Sequence, residues 1–312
     1  QSSFRSLDAW ADRMRDDIGA SNAALNLPLF VYYPVNRAVQ SVSLKVPALQ
    51  RFDLLEAYDD ALSGSANFRT FFEWYRNRED LENEQRAEAE SFQPDRQLEA
   101  VRRAIRAFLP ELSSIAVKRN PLRMEVATNR GKQRIDQLSD GEKGLFAMIG
   151  DLARRLAIAN PTLSDPLGGN GIILIDEIEL HLHPAWQRMI VPKLTRTFPN
   201  CQFIITTHSP QVLGEVDANQ IRILSSRPYP GLAYQAGESL PHDIFSWTPR
   251  QAKGLDSCEI LEELMGARSR DDAVTKKLGV IFGHIDDNEF DTAKTLLGEL
   301  RDEVRGDIPE TI

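Results

Sequence analysis

Two adjacent carboxylates, Asp176 and Glu177, directly follow an unbroken apolar run at residues 172–175. A run without alternation is typical of a strand that is buried on both faces of a parallel sheet. Buried carboxylates are costly unless they are paired, hydrogen-bonded or bound to a metal, and open α/β sheets bind ligands beyond the carboxyl ends of their strands. We therefore predict a nucleotide site, in which Asp176 holds Mg²⁺ directly or through water and Glu177 orients or deprotonates the attacking water. Taken alone, the pattern fits a strand ending in two solvated acids equally well.

A second site residue is His208, which follows the apolar stretch "CQFII" and two threonines. The intervening residues 184–198 have the pattern of an amphipathic helix, and a strand–helix–strand unit of this spacing implies a right-handed crossover. His208 is then expected at the same sheet edge as Asp176 and Glu177. A lone histidine is usually structural, but this position favours a catalytic or phosphate-sensing role.

Other segments are predicted to complete this sheet. The stretch "LPLFVYYPV" at residues 27–35 predicts a buried strand, and residues 219–224 predict a fourth strand. Arg37 follows the first of these strands and is a candidate phosphate or base contact, although a structural ion pair explains it as well.

The segment "LSDGEK" at residues 138–143 opens a predicted helix. Ser139 and Glu142 have the spacing of a capping box, and Gly141 allows another backbone segment to approach closely. The free amides of such a helix end, together with the Ser139 hydroxyl, can bind an anion. The simpler interpretation is a well-capped helix.

Composition limits the class of protein. The chain has 312 residues, a net charge of −9 and two cysteines far apart, which predicts a globular protein of the reducing cytoplasm without a disulfide framework. No apolar run approaches the ~18–20 residues of a membrane span. Residues 96–134 hold ten bases and three acids, and this basic segment is either a solvated surface or a contact with a nucleic-acid backbone. Residues 256–310 hold fifteen acids and seven bases, which fits a basic protein partner better than DNA.

The predicted organisation has four parts. Residues 1–50 belong to the core, residues 51–110 form a helical insertion or arm, and residues 111–238 return to the core. Residues 239–312 form an extended connector and a C-terminal helical module for oligomerisation or partner docking. The aromatic side chains in the arm are predicted to pack as core or interface, namely Phe68, Phe71, Phe72, Trp74 and Tyr75.

Four motifs occur in one order: "LSDGEK", "IILIDE", "HLHP" and "ITTHSP". Together they resemble the second half of an ABC-type ATPase head, an α/β P-loop NTPase with a largely parallel sheet. The resemblance implies that the first motif is the signature, which binds the γ-phosphate of ATP held by a partner subunit. Its residues here are Ser139, Asp140, Gly141 and Glu142, with Asp140 in place of the usual glycine.

The same resemblance assigns the remaining site residues. Asp176 would be the Walker B aspartate that binds Mg²⁺, Glu177 the catalytic carboxylate and His208 the switch histidine. The D-loop falls around His181 and His183, and His183 would cross the interface between two heads. The "HLH" sequence alone is a weak zinc signal, and we do not predict zinc.

The amino-acid sequence of the whole chain is similar to those of ATPases from bacterial anti-phage systems, of the PtuA kind found in Septu and some retrons. The similarity implies a homo-oligomer formed through its heads and an HNH nuclease partner of the PtuB kind. ATP binding would close two heads and hydrolysis would reopen them, controlling the nuclease. Two alternatives are a nucleotide-sensing scaffold without useful hydrolysis and a DNA-repair ATPase, although residues 51–110 are short for the coiled-coil arm of the latter.

One motif of the family is missing from the printed sequence, the phosphate-binding loop G-x-x-x-x-G-K-[ST]. The family pattern puts it before residue 1, so we expect the chain to be the C-terminal portion of a longer protein that does not hydrolyse ATP in isolation. The alternative is a natural subunit without this loop that lends its "LSDGEK" to a partner.

Overall fold

The computed structural model describes residues 4–20, 25–35, 54–63, 68–88, 91–129, 131–225 and 244–306. The chain divides into two compact units, residues 1–215 and residues 216–312. The candidate residue Arg37 lies outside the described residues. The four-part organisation expected from the sequence stays a prediction.

The first unit alternates helices with the strands of two sheets. In chain order its elements are α1 (Arg5–Ala20), β1 (Leu29–Tyr33), α2 (Phe68–Glu88), α3 (Arg96–Phe108), β2 (Ser114–Arg119), β3 (Leu122–Thr128), β4 (Gly131–Arg134), α4 (Asp140–Ala159), β5 (Gly171–Ile175), α5 (Pro184–Thr197), β6 (Cys201–Ile205) and α6 (Pro210–Leu213).

The sheet that positions the candidate site is parallel. Its strand order is β1-β5-β6, with Tyr33 beside Ile175 and Ile175 beside Ile205. The parallel pairing agrees with the crossover predicted from the sequence. The apolar stretch "CQFII" predicts a buried strand, and this prediction is wrong, since the residues of β6 are half-buried or exposed and Ile204 is 51% exposed. Among the described strands β6 pairs only with β5.

Helix α4 is the centre of the core. Its first residue follows the N-cap Ser139, and every residue from Leu145 to Ala159 is buried. The aromatic side chains of α2 pack against it, as predicted; Phe71, for example, lies edge-on to Phe146 with ring centroids 5.8 Å apart. Helices α2 and α3 thus share one hydrophobic core with β1, β5 and α4.

Strands β2, β3 and β4 form a small antiparallel sheet. This sheet and α3 carry the basic segment. Among its described residues, six bases pair with carboxylates: Arg102, Arg103, Arg106, Arg119, Arg123 and Arg134. The net charge of residues 96–134 therefore overstates the positive charge that is left for a nucleic acid.

The second unit contains β7 (Ile223–Ser225), β8 (Phe245–Trp247), α7 (Ser257–Glu259), α8 (Asp272–Asp286) and α9 (Phe290–Val304). The prediction that residues 219–224 add a fourth strand to the parallel sheet is wrong, because β7 pairs antiparallel with β8 in a sheet of its own. Strand β8 lies within the segment predicted as an extended connector. A pairing partner this far along the chain leaves no local signal in the sequence.

Helices α8 and α9 form a hairpin around a small apolar cluster, in which the buried residues are Leu278, Ile281, Ala293 and Leu300. Two aromatic side chains of the same helices, Phe282 and Phe290, are 44% and 60% exposed. None of the helices that the structure describes is both long and apolar enough to cross a bilayer.

Candidate functional site

The ends of β5 and β6 carry the two carboxylates and the histidine to one edge of the sheet. Because the strands are parallel and in register, Asp176 and Thr206 follow neighbouring positions, Ile175 and Ile205. The Thr206 hydroxyl donates to Oδ1 of Asp176 and accepts the backbone N–H of Glu177 at 2.8 Å. One side chain thus fixes both members of the acid pair. The sequence marked Thr206 only as a strand end, so its role was missed.

Glu177 begins a loop with unusual backbone geometry. Its φ is +44°, and the φ of His181 is +61°. A residue other than glycine in this left-handed region costs of order 1 kcal/mol, and such strain gathers at functional sites. Two hydrogen bonds anchor the start of the loop: Asp176 N–H to the carbonyl of Tyr33 (2.9 Å) and Ile178 N–H to that of Thr206 (3.2 Å).

Glu179 ties this loop to the segment that carries His208. One carboxylate oxygen accepts the Thr207 hydroxyl at 2.7 Å, and the other accepts the His208 backbone N–H at 2.5 Å. Nearby, the Ser209 hydroxyl donates to Gln187 at 2.6 Å. The position of the predicted switch histidine is therefore set by the loop after the acid pair. Sequence reasoning did not single out Glu179, because nothing in its spacing distinguishes it from a solvated acid.

The N-terminus of α4 has the predicted capping box. Glu142 N–H donates to the Ser139 hydroxyl oxygen at 3.3 Å, and Ser139 N–H donates to the Glu142 carboxylate at 2.8 Å. Asp140, the residue that replaces the usual glycine, pairs with Lys143 at 2.8 Å. The Lys143 ammonium, with a smaller effect of His181, holds the pKa of Asp140 below its usual range. The extra negative charge at this helix end thus has a cation beside it.

Gly141 brings this helix end against the loop after the acid pair. A Cβ atom at this position would lie 2.5 Å from the carbonyl oxygen of His181 and 3.7 Å from the Trp186 ring. Only glycine fits without movement of the neighbouring backbone. The signature segment and the predicted D-loop of one chain are therefore in direct contact.

His183 is the N-cap of α5. Its Nδ1 accepts the backbone N–H of Ala185 at 3.2 Å, and the residue is exposed. The hydrogen bond gives His183 a local structural role, and its predicted role across an interface between two heads stays a prediction.

The donor set at the sheet edge suits a hard cation that also binds phosphate. No cluster of three or more metal-binding side chains occurs among the residues that the structure describes. Mg²⁺ needs no such cluster, since it commonly binds one or two carboxylates and takes its other ligands from phosphate and water. The Asp176 carboxylate, half-buried at the carboxyl end of a central strand, fits this requirement.

Comparison with known proteins assigns most of the chain to one protein family. A protein-family model described as "AAA domain, putative AbiEii toxin, Type IV TA system" matches residues 21–214, more than half of the chain. The "Retron Vc95 probable ATPase" of Vibrio cholerae serotype O1 biovar El Tor is 36% identical over 256 residues, which cover 67% of this chain and 49% of that protein. A "Septu protein PtuA" of Bacillus thuringiensis is 28% identical over 48% of this chain and 37% of its own length.

Among solved structures, one titled "Structural biochemistry of ATP-driven dimerization and DNA stimulated activation of SMC ATPases" has a TM-score of 0.34 and 22% identity over 54% of this chain and 92% of its own. A TM-score this low adds nothing to the fold assignment, which rests on the family match and the parallel sheet. The chain spans about half the length of the retron relative. The predicted α/β class and the predicted similarity to retron and Septu ATPases are both confirmed. The chain belongs to the family described as "AAA domain, putative AbiEii toxin, Type IV TA system".

Proposed function

We propose that this chain supplies the signature helix, the metal-binding carboxylate, the water-activating glutamate and the switch histidine of an ATPase head. The observation that carries the proposal is the shared edge of β5 and β6, where the Thr206 hydroxyl bonds to both Asp176 and Glu177. Neighbouring parallel strands deliver these groups to the edge at which α/β sheets bind ligands. The match to AAA domains makes ATP the substrate to test first.

Each residue has a distinct part in this proposal. Asp176 holds Mg²⁺, which when bound neutralises charge on the β- and γ-phosphates. Glu177 accepts a proton from the attacking water, and His208 contacts the γ-phosphate. The helix end at Ser139, Asp140, Gly141 and Glu142 binds the γ-phosphate of ATP held by a second head, since the positive end of the α4 dipole favours an anion.

The finer function concerns assembly and defence. Two heads close on ATP, with His183 at their interface, and hydrolysis reopens them to control an HNH nuclease of the PtuB kind in a bacterial anti-phage system. The similarity to retron and Septu proteins supports this part of the proposal. Since the printed sequence has no G-x-x-x-x-G-K-[ST] motif, activity has to be measured in the assembly that supplies a phosphate-binding loop, called the complete ATPase below.

The experiment that tests the proposal is Glu177→Gln in the complete ATPase. We expect ATP hydrolysis to fall by about 10²–10⁴-fold, the usual contribution of a general base, while ATP-dependent dimers persist in light scattering. Glu111→Gln, an exposed carboxylate on another loop, is the matched control and should keep its turnover. Undiminished hydrolysis in Glu177→Gln would refute the assigned role.

A single-turnover assay separates hydrolysis from nucleotide sensing. The wild-type complete ATPase, mixed with a substoichiometric amount of labelled ATP, should convert the bound nucleotide to ADP. Stable binding without any cleavage would instead indicate the scaffold function and would contradict the proposal.

A further inference from the structure

A cluster of buried ionic groups lies in the core of the first unit. Asp151, Arg154 and Arg155 of α4 are at most 1% exposed, and the side chain of Tyr33 beside them is fully buried. Burying charges is costly even when they are paired, and apolar side chains of similar volume often stabilise a core as well or better. Packing alone therefore does not explain why α4 places three ionised groups here.

Asp151 is the hub of the cluster. Its Oδ2 accepts the Tyr33 hydroxyl at 2.9 Å and Nε of Arg155 at 2.7 Å, and its Oδ1 accepts Nη2 of Arg154 at 2.8 Å. Burial by itself would raise the pKa of Asp151, but the two guanidinium groups hold it below its ordinary value, so the hub is a carboxylate. Arg155 also donates to the carbonyl of Ala57 at 2.7 Å, which anchors the cluster to a second segment.

Tyr33 connects this hub to the candidate site. It is the last residue of β1 and lies in register with Ile175, the last residue of β5. Its side chain bonds to Asp151 of α4, while its carbonyl oxygen accepts the backbone N–H of Asp176 at 2.9 Å. One residue thus contacts both the signature helix and the metal-binding end of the sheet.

Helix α4 is suited to transmit a displacement. It is continuous from Asp140 to Ala159 and buried from Leu145 onward. At about 1.5 Å per residue, Asp151 lies ~16 Å along the axis from the signature residues at its start. A shift of the helix when its N-terminus binds phosphate would therefore move Asp151 and the Tyr33 hydroxyl together.

We propose that Tyr33 is a positioning residue that couples the signature helix to the Asp176 end of β5 through its hydrogen bond with Asp151. This inference rests on the proposed function, because it assigns the coupling to an ATPase site.

The test is Tyr33→Phe in the complete ATPase, with Tyr75→Phe as the matched control. Tyr75 is also fully buried. Its hydroxyl donates to the carbonyl of Ile115 and accepts Nε of Arg102, both at 3.0 Å and away from the sheet edge. Both variants lose one buried phenol hydroxyl, so we expect similar losses of melting temperature. In Tyr33→Phe alone, kcat should fall about tenfold while KM for ATP stays within about twofold. A tenfold change corresponds to ~1.4 kcal/mol, as expected for a hydrogen bond to a charged group.

A spectroscopic measurement keeps the proposal testable if Tyr33→Phe does not fold. With 3-fluorotyrosine at position 33, ATP should shift the ¹⁹F resonance of the complete ATPase, and the shift should be absent in Ser139→Arg, which blocks the signature end of α4. A shift that persists in Ser139→Arg would overturn the coupling.

The outcomes distinguish the inference from the function on which it rests. If the wild type hydrolyses ATP and Tyr33→Phe has the same kcat as Tyr75→Phe, the coupling is refuted and the proposed function stands. If the wild-type complete ATPase does not hydrolyse ATP, both are refuted.

Discussion

Replacement of Gly141 by alanine tests the contact between the signature helix and the loop after the acid pair. The new Cβ atom would lie 2.5 Å from the carbonyl oxygen of His181, whereas ordinary contacts are about 3.5 Å. Either the helix end or the loop must therefore move by about 1 Å. The atom that is met belongs to the backbone, so a side-chain rotation cannot relieve the clash.

The expected magnitude follows from two opposing effects. Alanine gains about 0.5–1 kcal/mol over glycine in a helix, while overpacking costs about 1–3 kcal/mol. Gly144 lies one turn further along α4, and a Cβ there would meet nothing within 4 Å. Gly144→Ala should therefore keep the gain, and the free energies of unfolding of the two variants should differ by about 1–3 kcal/mol.

Urea unfolding followed by circular dichroism measures this difference, provided that both variants keep the same m-value. In the complete ATPase, Gly141→Ala should also lower turnover, because a misplacement of about 1 Å can cost up to ~10²-fold. If Gly141→Ala is as stable and as active as Gly144→Ala, the close approach of α4 to His181 is not a feature of the protein in solution.

Two further predictions concern groups away from the sheet edge. Glu82, which is 1% exposed, accepts hydrogen bonds from Nη1 and Nη2 of Arg102 at 3.0 and 2.9 Å. Glu82→Gln should therefore lower the free energy of unfolding in urea by about 2–3 kcal/mol. A loss no larger than that of the exposed Glu84→Gln on the same helix would contradict this. Burial raises the pKa of the Cys201 thiol to about 11, whereas Cys258 is exposed. Iodoacetamide at pH 8 should therefore label Cys258 before Cys201 in the native protein, because the thiolate is the reactive form. Mass spectrometry measures the labelling of each cysteine. Equal labelling of Cys201 and Cys258 would argue against the burial of Cys201.

The secondary structure around the site was largely predictable from local pattern. Continuous apolar runs identified β1 and β5, and the spacing of Ser139 and Glu142 identified the start of α4. These features depend on residues within a few positions of one another, so the sequence displays them directly. The parallel pairing followed from chain geometry, since a strand–helix–strand unit of this length returns in the same direction.

The errors have a common cause in long-range pairing. Residues 223–225 have the composition of a sheet strand, but their partner is β8, which begins at Phe245. The exposure of β6 likewise depends on which strands lie beside it, and its own apolar sequence cannot report that. A β-pattern predicts that a segment pairs, whereas the identity of the partner is decided by packing.

The buried cluster in α4 shows the same limit. Asp151, Arg154 and Arg155 have the spacing of a solvated helix face, and they are buried because Tyr33 and the Ala57 carbonyl meet them there. Charged residues are almost never fully buried without such partners, so composition alone argued for the surface.

The sequence by itself determined which chemical groups this protein brings to its site and the order in which the chain carries them. The acid pair, the histidine and the capped helix are each encoded within a short stretch, where apolar runs and capping residues act locally. Only the tertiary structure decided how these groups are held, through Thr206 on the acid pair, Glu179 on the His208 segment and Gly141 against His181. Each of these contacts joins residues 28 or more positions apart, with distances fixed by the packing of whole elements.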